Sequence, residues 1–258
     1  MSKVVKFGGS SLASAEQFKK VGDIIRAEAD RKYVVPSAPG KRDSKDTKVT
    51  DMLYGCYALA EAGKNFDKEL AQIKARYEEI IVGLNLRADL LDKEFEIVKA
   101  QFEAKAGKDY AASRGEYLNG IIMAEYLGFD FIDAAEVIFF DDKGNFMPDK
   151  TNEVLRDRLK ESERAVIPGF YGAKLDGTIK TFSRGGSDIT GSIVAKAAKV
   201  DVYENWTDVS GFLVADPRVI ENPKGIETIT YRELRELSYM GASVLHEDAI
   251  FPVRKEGI

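Results

Sequence analysis

The stretch "KVVKFGGSS", residues 3–11, decides the fold, because an apolar run ends there directly in two glycines and two serines. The run from Val4 to Phe7 predicts a buried strand. Apolar residues then recur at three- and four-residue spacing over 15–30, which is typical of an amphipathic helix. The stretch "YVVPSA" at 33–38 predicts a second strand. The chain therefore opens as a β-loop-α-β unit with parallel strands.

The composition is that of an ordinary globular protein, with 258 residues, 44% hydrophobic and 31% charged. The net charge of -5 gives no support to a nucleic-acid partner. A single cysteine excludes an intrachain disulfide, and the spacing around Cys56 predicts a small core residue. With only one histidine as well, a Cys/His metal site is not expected. The chain shows neither a signal-peptide pattern nor a long uncharged apolar run, so we expect a cytoplasmic protein without a membrane partner.

Beyond the second strand, a helical block interrupts the α/β alternation. Residues 39–48 are too polar for an element and predict a surface loop that is mobile without ligand. Residues 51–106 show helical spacing without a strand pattern, which predicts a helical insertion. We interpret this insertion mainly as a helical packing unit. The alternative is a lid or an oligomer contact near the substrate. The later elements are predicted as follows: a helix at 113–126, strands at 129–134 and 136–140, a helix through Leu155 and Leu159, a strand at 164–170, a hairpin at 173–182, a helix at 189–199, a strand at 200–206, and one or two helices at 231–250.

Two glycine-rich loops, "FGGSS" at 7–11 and "SRGGSD" at 183–188, share one design. Each follows an extended segment and precedes a predicted helix. Glycine lets backbone N–H groups approach a phosphate closely, and a helix N-terminus adds partial positive charge. Gly-Gly-Ser pairs also make simple tight turns, and neither loop has the Walker or dinucleotide spacing. The doubled pattern favours a polyphosphate held between the loops, with charges and hydroxyls from Lys6, Ser10, Ser11, Arg184 and Ser187.

The residue types suit phosphoryl transfer to a carboxylate. A carboxylate is ionised near neutral pH and can attack phosphorus without a general base. Such a reaction needs alignment and charge stabilisation, which glycine loops, a lysine and a divalent metal supply. A chain with a single histidine can perform this chemistry.

Six motifs follow one another along the chain: "KFGGSS", "SRGE", "TFSRGGSD", "WTDVSG", "DPR" and "GASVLH". Their order, from Lys6 to about His246, resembles that of the aspartate kinases of the amino acid kinase superfamily. The resemblance implies an α/β fold, a three-layer αβα sandwich around a mainly parallel central sheet of about eight strands. It implies one catalytic domain at 1–258, with 51–106 as a helical insertion within it. The implied reaction is ATP-dependent phosphorylation of the L-aspartate side chain to 4-phospho-L-aspartate, with Mg²⁺ on the nucleotide, at the start of lysine, threonine and methionine synthesis.

The resemblance also implies the catalytic residues. Lys6 resembles the lysine that bridges the transferring phosphate and the nucleotide, and Gly8 and Gly9 resemble the loop beneath the phosphates. Asp188 resembles the carboxylate that orders this lysine. A physical reason supports the pairing, since a buried lysine needs a partner to stay charged and fixed.

On the substrate side, Arg184 resembles the residue that grips the α-carboxylate, for which a guanidinium fork is well suited. Glu116 in "SRGE" resembles the partner of the substrate ammonium, which disfavours N-acetylated substrates. Ser37 and Thr50 resemble the bordering hydroxyls, and Ser187 is assigned to the same site.

The implied ATP site consists of Lys6, Phe7, Gly8, Gly9, Ser10, Thr207, Asp208, Leu213, Arg218 and Ser243. Two of these positions depart from the family pattern. Leu213 stands where many relatives have tyrosine, and Ser243 stands where lysine or arginine is common. A lost basic residue removes one phosphate or ribose contact, so we expect a change in nucleotide affinity or choice.

The chain ends at Ile258, before the paired ACT domains that usually follow in this family. We therefore expect regulatory ACT domains to be absent, in either a partial catalytic unit or a variant regulated differently. A homodimer is expected from the family alone. Two alternatives stay open: a superfamily member with another acceptor, such as glutamate or a nucleoside monophosphate, or a regulatory protein that binds nucleotide or amino acid without turnover.

Overall fold

The structure is a computed structural model that describes residues 1–183, 185–208, 211–214, 220–239 and 251–258. Its strands are β1 Lys3–Phe7, β2 Arg31–Pro36, β3 Asp130–Phe131, β4 Phe139–Phe140, β5 Ala165–Val166, β6 Tyr171–Lys174, β7 Ile179–Thr181 and β8 Val202–Trp206. Its helices are α1 Ala15–Ala27, α2 Val49–Glu61, α3 Asp67–Gly83, α4 Asp92–Glu103, α5 Lys108–Leu127, α6 Ala134–Val137, α7 Pro148–Lys160, α8 Gly186–Ala198, α9 Tyr231–Tyr239 and α10 Phe251–Arg254.

Five of these strands form a parallel sheet with the order β3-β5-β2-β1-β8. The first two strands of the chain, β1 and β2, are parallel neighbours in this sheet, as the opening β-loop-α-β pattern predicts. A second sheet has the order β4-β6-β7, and its β6-β7 pair is the antiparallel hairpin predicted at 173–182.

Side chains alternate along β1 and β2 and enter two separate cores. Val5, Phe7 and Val34 pack on the face that α1 to α5 cover. Val4 and Val35 pack on the opposite face, which α6, α7 and α8 cover. The two helical layers make the αβα arrangement, so the mainly parallel α/β fold is confirmed, with the eight described strands divided between two sheets.

The stretch 51–106 is helical in the structure and contains α3, α4 and most of α2. Their apolar side chains, spaced by three and four, are buried against α5 and the first face of the sheet. Cys56 is buried among them, and burial raises the pKa of its thiol to about 12. A buried thiol of this kind is a packing residue rather than a nucleophile.

Four predicted strands are shorter than expected, of which the one predicted at 200–206 begins at Val202. The strand predicted at 129–134 stops at Phe131, because Asp133 Oδ1 accepts the Ala135 N–H at 2.9 Å and starts α6 instead. Helix α6 also replaces the first part of the strand predicted at 136–140. The strand predicted at 164–170 ends two residues before Pro168, which has no N–H to donate.

Two helices begin earlier than the apolar spacing predicts. Helix α5 begins at Lys108, directly after Gly107 at φ 105°, instead of at residue 113. Helix α8 begins at Gly186 instead of 189, so the second glycine loop runs into the first helical turn. Of the helices predicted at 231–250, α9 is described to residue 239, and 240–250 lie outside the described residues. No helix in the described part of the chain combines the length and the apolar character needed to cross a bilayer.

Candidate active site

The loops that leave β1, β2 and β8 meet at the carboxyl edge of the parallel sheet. Ser37 N donates to Phe7 O at 3.1 Å, and Gly8 N donates to Trp206 O at 3.2 Å. Ligands of open parallel sheets bind at this edge. The two glycine loops and the predicted substrate residues of the first half of the chain therefore surround one region.

Lys6 forms a close ion pair with Asp188. The Nζ atom lies 2.6 Å from Asp188 Oδ1, and only 9% of the lysine side chain is exposed. Lys6 points to the α8 side of the sheet because it shares that face with Val4, while its neighbour Phe7 faces the other core. Nζ also lies 3.7 Å from the position that a Cβ on Gly8 would take. The ammonium is thus fixed beside the first glycine loop.

A third residue, Asn205, holds the acidic partner of this pair. Its Nδ2 donates to Asp188 Oδ1 at 3.0 Å, and it lies opposite Lys6 in the β1-β8 register. Its own Oδ1 is buried without a hydrogen-bond partner among the described residues. No motif pointed to Asn205. Strand alternation in "VYENW" would have placed it on the Lys6 face only once the pairing of β8 with β1 was known.

The first glycine loop is shaped by close backbone packing. A 3-10 turn follows Gly8 at Gly9–Leu12, and Gly40 N donates to Gly9 O at 2.8 Å. A Cβ on Gly9 would lie 2.8 Å from Ala38 O, and a Cβ on Gly40 would lie 2.6 Å from the Gly9 carbonyl carbon. Glycine is therefore required at 9 and 40 by contact between the two loops, in addition to any contact with phosphate.

Glu116 is buried beside the loop that leaves β2. Burial raises the pKa of its carboxyl to about 8, although the Ala38 N–H and the Arg114 charge oppose the shift. Its Oε2 has no hydrogen-bond partner among the described residues. A buried carboxylate without a cation is unfavourable when ionised, so this position is ready to receive an ammonium group.

The predicted hydroxyl residues lie around the same helix. A Cβ on Gly115 would lie 2.8 Å from Ala38 Cβ and 3.6 Å from Thr50 Oγ1, so α2 approaches α5 there. Asn119 Nδ2 donates to Ser37 O at 2.6 Å, and its buried Oδ1 is unpartnered among the described residues. Ser37 and Thr50 thus both lie against the part of α5 that carries Glu116. Asn119, one turn after Glu116, was not predicted, since an asparagine in a helix carries no functional signal by itself.

The N-terminus of α8 packs against Phe170. A Cβ on Gly186 would lie 2.5 Å from Phe170 Cδ2, and a Cβ on Gly169 would lie 2.6 Å from Ser187 Oγ. Phe170 has φ 79°, in the left-handed region that phenylalanine rarely adopts, and such strain clusters at functional sites. Its N–H donates to Thr190 Oγ1 at 3.0 Å. The Pro168–Gly169 pair is a sequence signal for this turn, although the stretch 164–170 is predicted as a strand.

The predicted nucleotide side is described only in part. Thr207 and Asp208 are exposed directly after β8, and Thr207 Oγ1 donates to Asp208 Oδ1 at 3.1 Å. Leu213 is half-buried and forms an isolated antiparallel bridge with Gly225. Three predicted site residues, Arg184, Arg218 and Ser243, lie outside the described residues.

This edge of the sheet therefore combines a glycine loop, a fixed lysine and a buried carboxylate without a paired cation. The amino acid kinase family matches the chain over residues 1–258, and the chain belongs to this family. Within the family, the chain is similar to aspartokinases. It is 40% identical to aspartokinase 3 of Bacillus subtilis, over 99% of this chain and 59% of that protein. It is 28% identical to the lysine-sensitive aspartokinase 3 of Escherichia coli, over 100% of this chain and 61% of that protein.

Two solved structures are similar in fold over nearly the whole chain. The aspartate kinase of Clostridium acetobutylicum matches with a TM-score of 0.92 and 57% identity, over 98% of this chain and 57% of that one. E. coli aspartokinase III in complex with aspartate and ADP matches with a TM-score of 0.84 and 27% identity, over 99% of this chain and 60% of that one. The chain spans about three fifths of the length of the relatives that it matches.

Proposed function

We propose that the chain phosphorylates the side-chain carboxylate of L-aspartate with ATP, yielding 4-phospho-L-aspartate and ADP. The observation that carries the proposal is the Lys6–Asp188 pair at 2.6 Å beside the glycine loop. A polyphosphate needs a fixed cation next to free backbone N–H groups, and this pair supplies it. The similarity to E. coli aspartokinase III, solved with aspartate and ADP, supports the choice of substrates.

In the proposed reaction, a carboxylate oxygen of aspartate attacks the γ-phosphorus of ATP. A bond forms between that oxygen and phosphorus while the bond from phosphorus to the bridging oxygen of ADP breaks, and no proton must be removed. Lys6 stabilises the negative charge on the transferring group, and Asp188 with Asn205 holds the ammonium in place.

Glu116 is proposed to bind the ammonium of aspartate. Its unpartnered Oε2 and raised pKa mean that a cation satisfies the buried carboxylate. Ser37 and Thr50, which lie near the same helix, are proposed to donate hydrogen bonds to the substrate. Arg184 stays a prediction for the α-carboxylate, and Ser187 for a further contact.

We expect Mg²⁺ to arrive with the nucleotide and to neutralise phosphate charge. Magnesium in kinases is held largely by phosphate oxygens and water, with one or two carboxylates at most. The described residues contain no group of three or more His, Cys, Asp or Glu side chains placed to hold a metal. The remaining nucleotide contacts at Thr207, Asp208 and Arg218 stay predictions.

The test is ADP release from Mg-ATP with L-aspartate, compared with L-glutamate, N-acetyl-L-glutamate and UMP as acceptors. Hydroxylamine traps an acyl phosphate as a stable hydroxamate. We expect hydroxamate formation with aspartate, reduced by about 10²- to 10³-fold in Lys6→Met because one charge-stabilising contact is lost. Lys20→Met, on the exposed side of α1, is the matched control and should retain full activity.

If only another acceptor is phosphorylated, that acceptor is the substrate and aspartate is not. ATP or aspartate binding without turnover on any acceptor would instead support a regulatory protein. The same proposal includes a cytoplasmic location, a role in amino acid synthesis and a homodimer. Sedimentation of the purified chain measures the oligomeric state.

A further inference from the structure

A cavity lies on the other side of α5 from Glu116. It is a groove of about 580 Å³ between α4, α5 and the turn of the β6-β7 hairpin. Arg114 forms part of its wall. Positions 114 and 116 are two residues apart on a helix and so point about 200° away from each other. Glu116 faces the Ala38 segment, and Arg114 faces the groove.

Arg114 is buried without an acidic partner. Only 6% of the residue is exposed, and no carboxylate of the described residues lies within 4 Å of its guanidinium. Its Cζ lies 4.7 Å from the ring centre of Tyr110 and 4.1 Å from that of Tyr117. Its Nε donates to Ser113 Oγ at 3.1 Å. A guanidinium carries five N–H donors in a fork, so most of its capacity for a carboxylate is unused.

The rest of the groove carries carboxylates that are also without cations. Glu94 accepts the Tyr117 hydroxyl at 3.1 Å, and Asp133 accepts the Tyr171 hydroxyl at 2.7 Å. Neither forms an ion pair with a described residue. Asp176 and Lys93 complete the charged lining and are exposed at the rim. With two cations and three carboxylates, the groove does not suit a polyanion such as a phosphate chain, and it does suit a ligand with one charge of each sign.

We propose that this groove binds a free α-amino acid, with its carboxylate on the Arg114 fork and its ammonium between Glu94 and Asp133. The carboxylate makes the charge-assisted pair that Arg114 lacks, flanked by the tyrosine rings. The ammonium satisfies two carboxylates that at present accept hydroxyl hydrogens. This site is separate from the candidate active site and does not depend on the proposed reaction.

Occupation of the groove should weaken aspartate binding at Glu116. The Arg114 charge favours the ionised form of Glu116, in opposition to burial. A ligand carboxylate on Arg114 neutralises that charge, so Glu116 holds its proton more tightly and attracts the substrate ammonium less. This consequence rests on the proposed function, whereas binding in the groove does not.

The test is NMR of the isoleucine methyl groups in the full chain, because Ile97 and Ile179 line the groove. Each of the common L-amino acids is added up to about 10 mM, which detects dissociation constants in the millimolar range. We expect at least one to shift both methyl signals in a saturable way. The α-carboxamide and the N-acetyl derivative of that amino acid should shift neither, because each lacks one of the two charges.

Two variants test the assigned contacts. Arg114→Lys retains the charge and loses the fork, and should weaken binding by about tenfold. Glu94→Gln, at a half-exposed position, should also weaken binding. This variant tests the site independently if the substitution of the buried arginine impairs folding. Glu96→Gln, on an exposed face of α4, is the matched control and should leave binding unchanged.

The proposal is overturned if no amino acid shifts Ile97 and Ile179, since Arg114 is then held by the tyrosine rings alone. It is equally overturned if the charge-deleted derivatives bind as well as the parent, or if Glu94→Gln binds like the wild type. All these readouts are independent of turnover, so a failed kinase assay does not bear on them.

Discussion

Lys6 and Phe7 are neighbours in the sequence and face opposite sides of the sheet. Phe7 lies in the core with α1 to α5 and stacks on Trp206, with ring centres 6.1 Å apart. Lys6 faces α8 and meets Asp188. Strand alternation thus allows one short strand to anchor the core and to present a buried charge at its carboxyl end.

The Lys6–Asp188 contact predicts the behaviour of Asp188→Asn. Asparagine retains the shape and a hydrogen-bond acceptor but removes the charge that holds the buried ammonium. We expect kcat to fall by about 10- to 100-fold, with a smaller change in the KM for aspartate. Steady-state kinetics measure both constants. Asp23→Asn, on the exposed side of α1, is the control, and a kcat equal to wild type in Asp188→Asn would contradict the assignment.

The raised pKa of Glu116 predicts a pH dependence of substrate binding. In the free protein the carboxyl is largely protonated below its pKa of about 8, and only the ionised form pairs with an ammonium. We therefore expect kcat/KM for aspartate to rise as the pH increases through about 8.

Glu116→Gln should lower kcat/KM by about 10²-fold and remove this rise, because a neutral amide cannot titrate. Glu125→Gln, on the exposed side of the same helix, should retain the wild-type profile. The profile is measured between about pH 6 and pH 9, the range over which such a group changes charge. A wild-type profile that is flat in this range would argue against Glu116 as the ammonium partner.

At the scale of elements, α3 of the helical stretch holds both loops of the candidate site. Arg76 on α3 is buried, and its Nη2 donates to Ala13 O at 2.7 Å and to Gly40 O at 3.2 Å. The same atom lies 3.3 Å from Asp46, which also accepts from Arg42 Nε at 2.8 Å. The loop predicted to be mobile without ligand is thus tied to α3 at Gly40 and Asp46, beside the exit of the glycine loop.

These contacts predict that Arg76→Lys loosens the loop at 39–48. A lysine side chain is shorter than that of arginine, so its Nζ does not reach the position from which Nη2 contacts two carbonyls and a carboxylate. We expect faster hydrogen exchange over 39–48 and a KM for aspartate raised by about 2- to 10-fold, since Ser37 and Thr50, which flank this loop, are proposed to contact the substrate. Arg87→Lys, exposed after α3, is the control. Exchange over 39–48 as slow as in wild type would show that Gly9 and Asp46 hold the loop without Arg76.

The sequence was a good guide to some elements and a poor one to others, for physical reasons. The order β1-α1-β2 and the hairpin at 173–182 were predictable because apolar spacing and a D-G turn are local signals. Helix α6 was read as strand, because the cap at Asp133 overrides the apolar alternation around it. The prediction of helix or strand is reliable where the periodic segment is long. It fails in short segments, where a single capping residue can start a helix instead.

In the candidate site too, some residues could be predicted from local sequence and others depend on the three-dimensional fold. The glycine loops were recognised from local chemistry, and the proposed roles of Lys6 and Asp188 came with the family resemblance. Asn205 and Asn119 were missed because their contacts depend on strand register and on helix packing, which no local pattern encodes. The strained backbone of Phe170 is likewise visible only in three dimensions.

At the scale of the whole molecule, the candidate site lies where the two cores meet. Lys6 and Asp188 belong to the α8 side of the sheet, and Glu116 lies on α5, which packs in the other core. A ligand that contacts both sets of residues links the two sides of the sheet. Ligand binding and the protonation of Glu116 should therefore both be visible in the stability of the entire fold.

Glu116 predicts how that stability changes with pH. Its carboxyl titrates near 4.5 in the unfolded chain and at about 8 in the folded protein. Between these values the folded state holds more protons than the unfolded state, so the free energy of unfolding falls as the pH rises, by at most about 1.4 kcal/mol per pH unit. Glu116→Gln has no such group and should gain stability over wild type through this window, while the two proteins differ least below it.

The measurement is the melting temperature of wild type, Glu116→Gln and Glu125→Gln at several pH values between 4.5 and 8. Taking differences between variants removes the titration of all other groups. The gap between Glu116→Gln and wild type should widen with pH, and Glu125→Gln should show no such trend because its exposed carboxylate is solvated in both states. Saturating aspartate should stabilise wild type more at the upper end of the window, where its ammonium meets the ionised carboxylate. A gap that is constant with pH would mean that Glu116 is ionised in the free protein. Burial would then not disfavour the ionised carboxylate, and the aspartate ammonium would have no such unfavourable energy to offset.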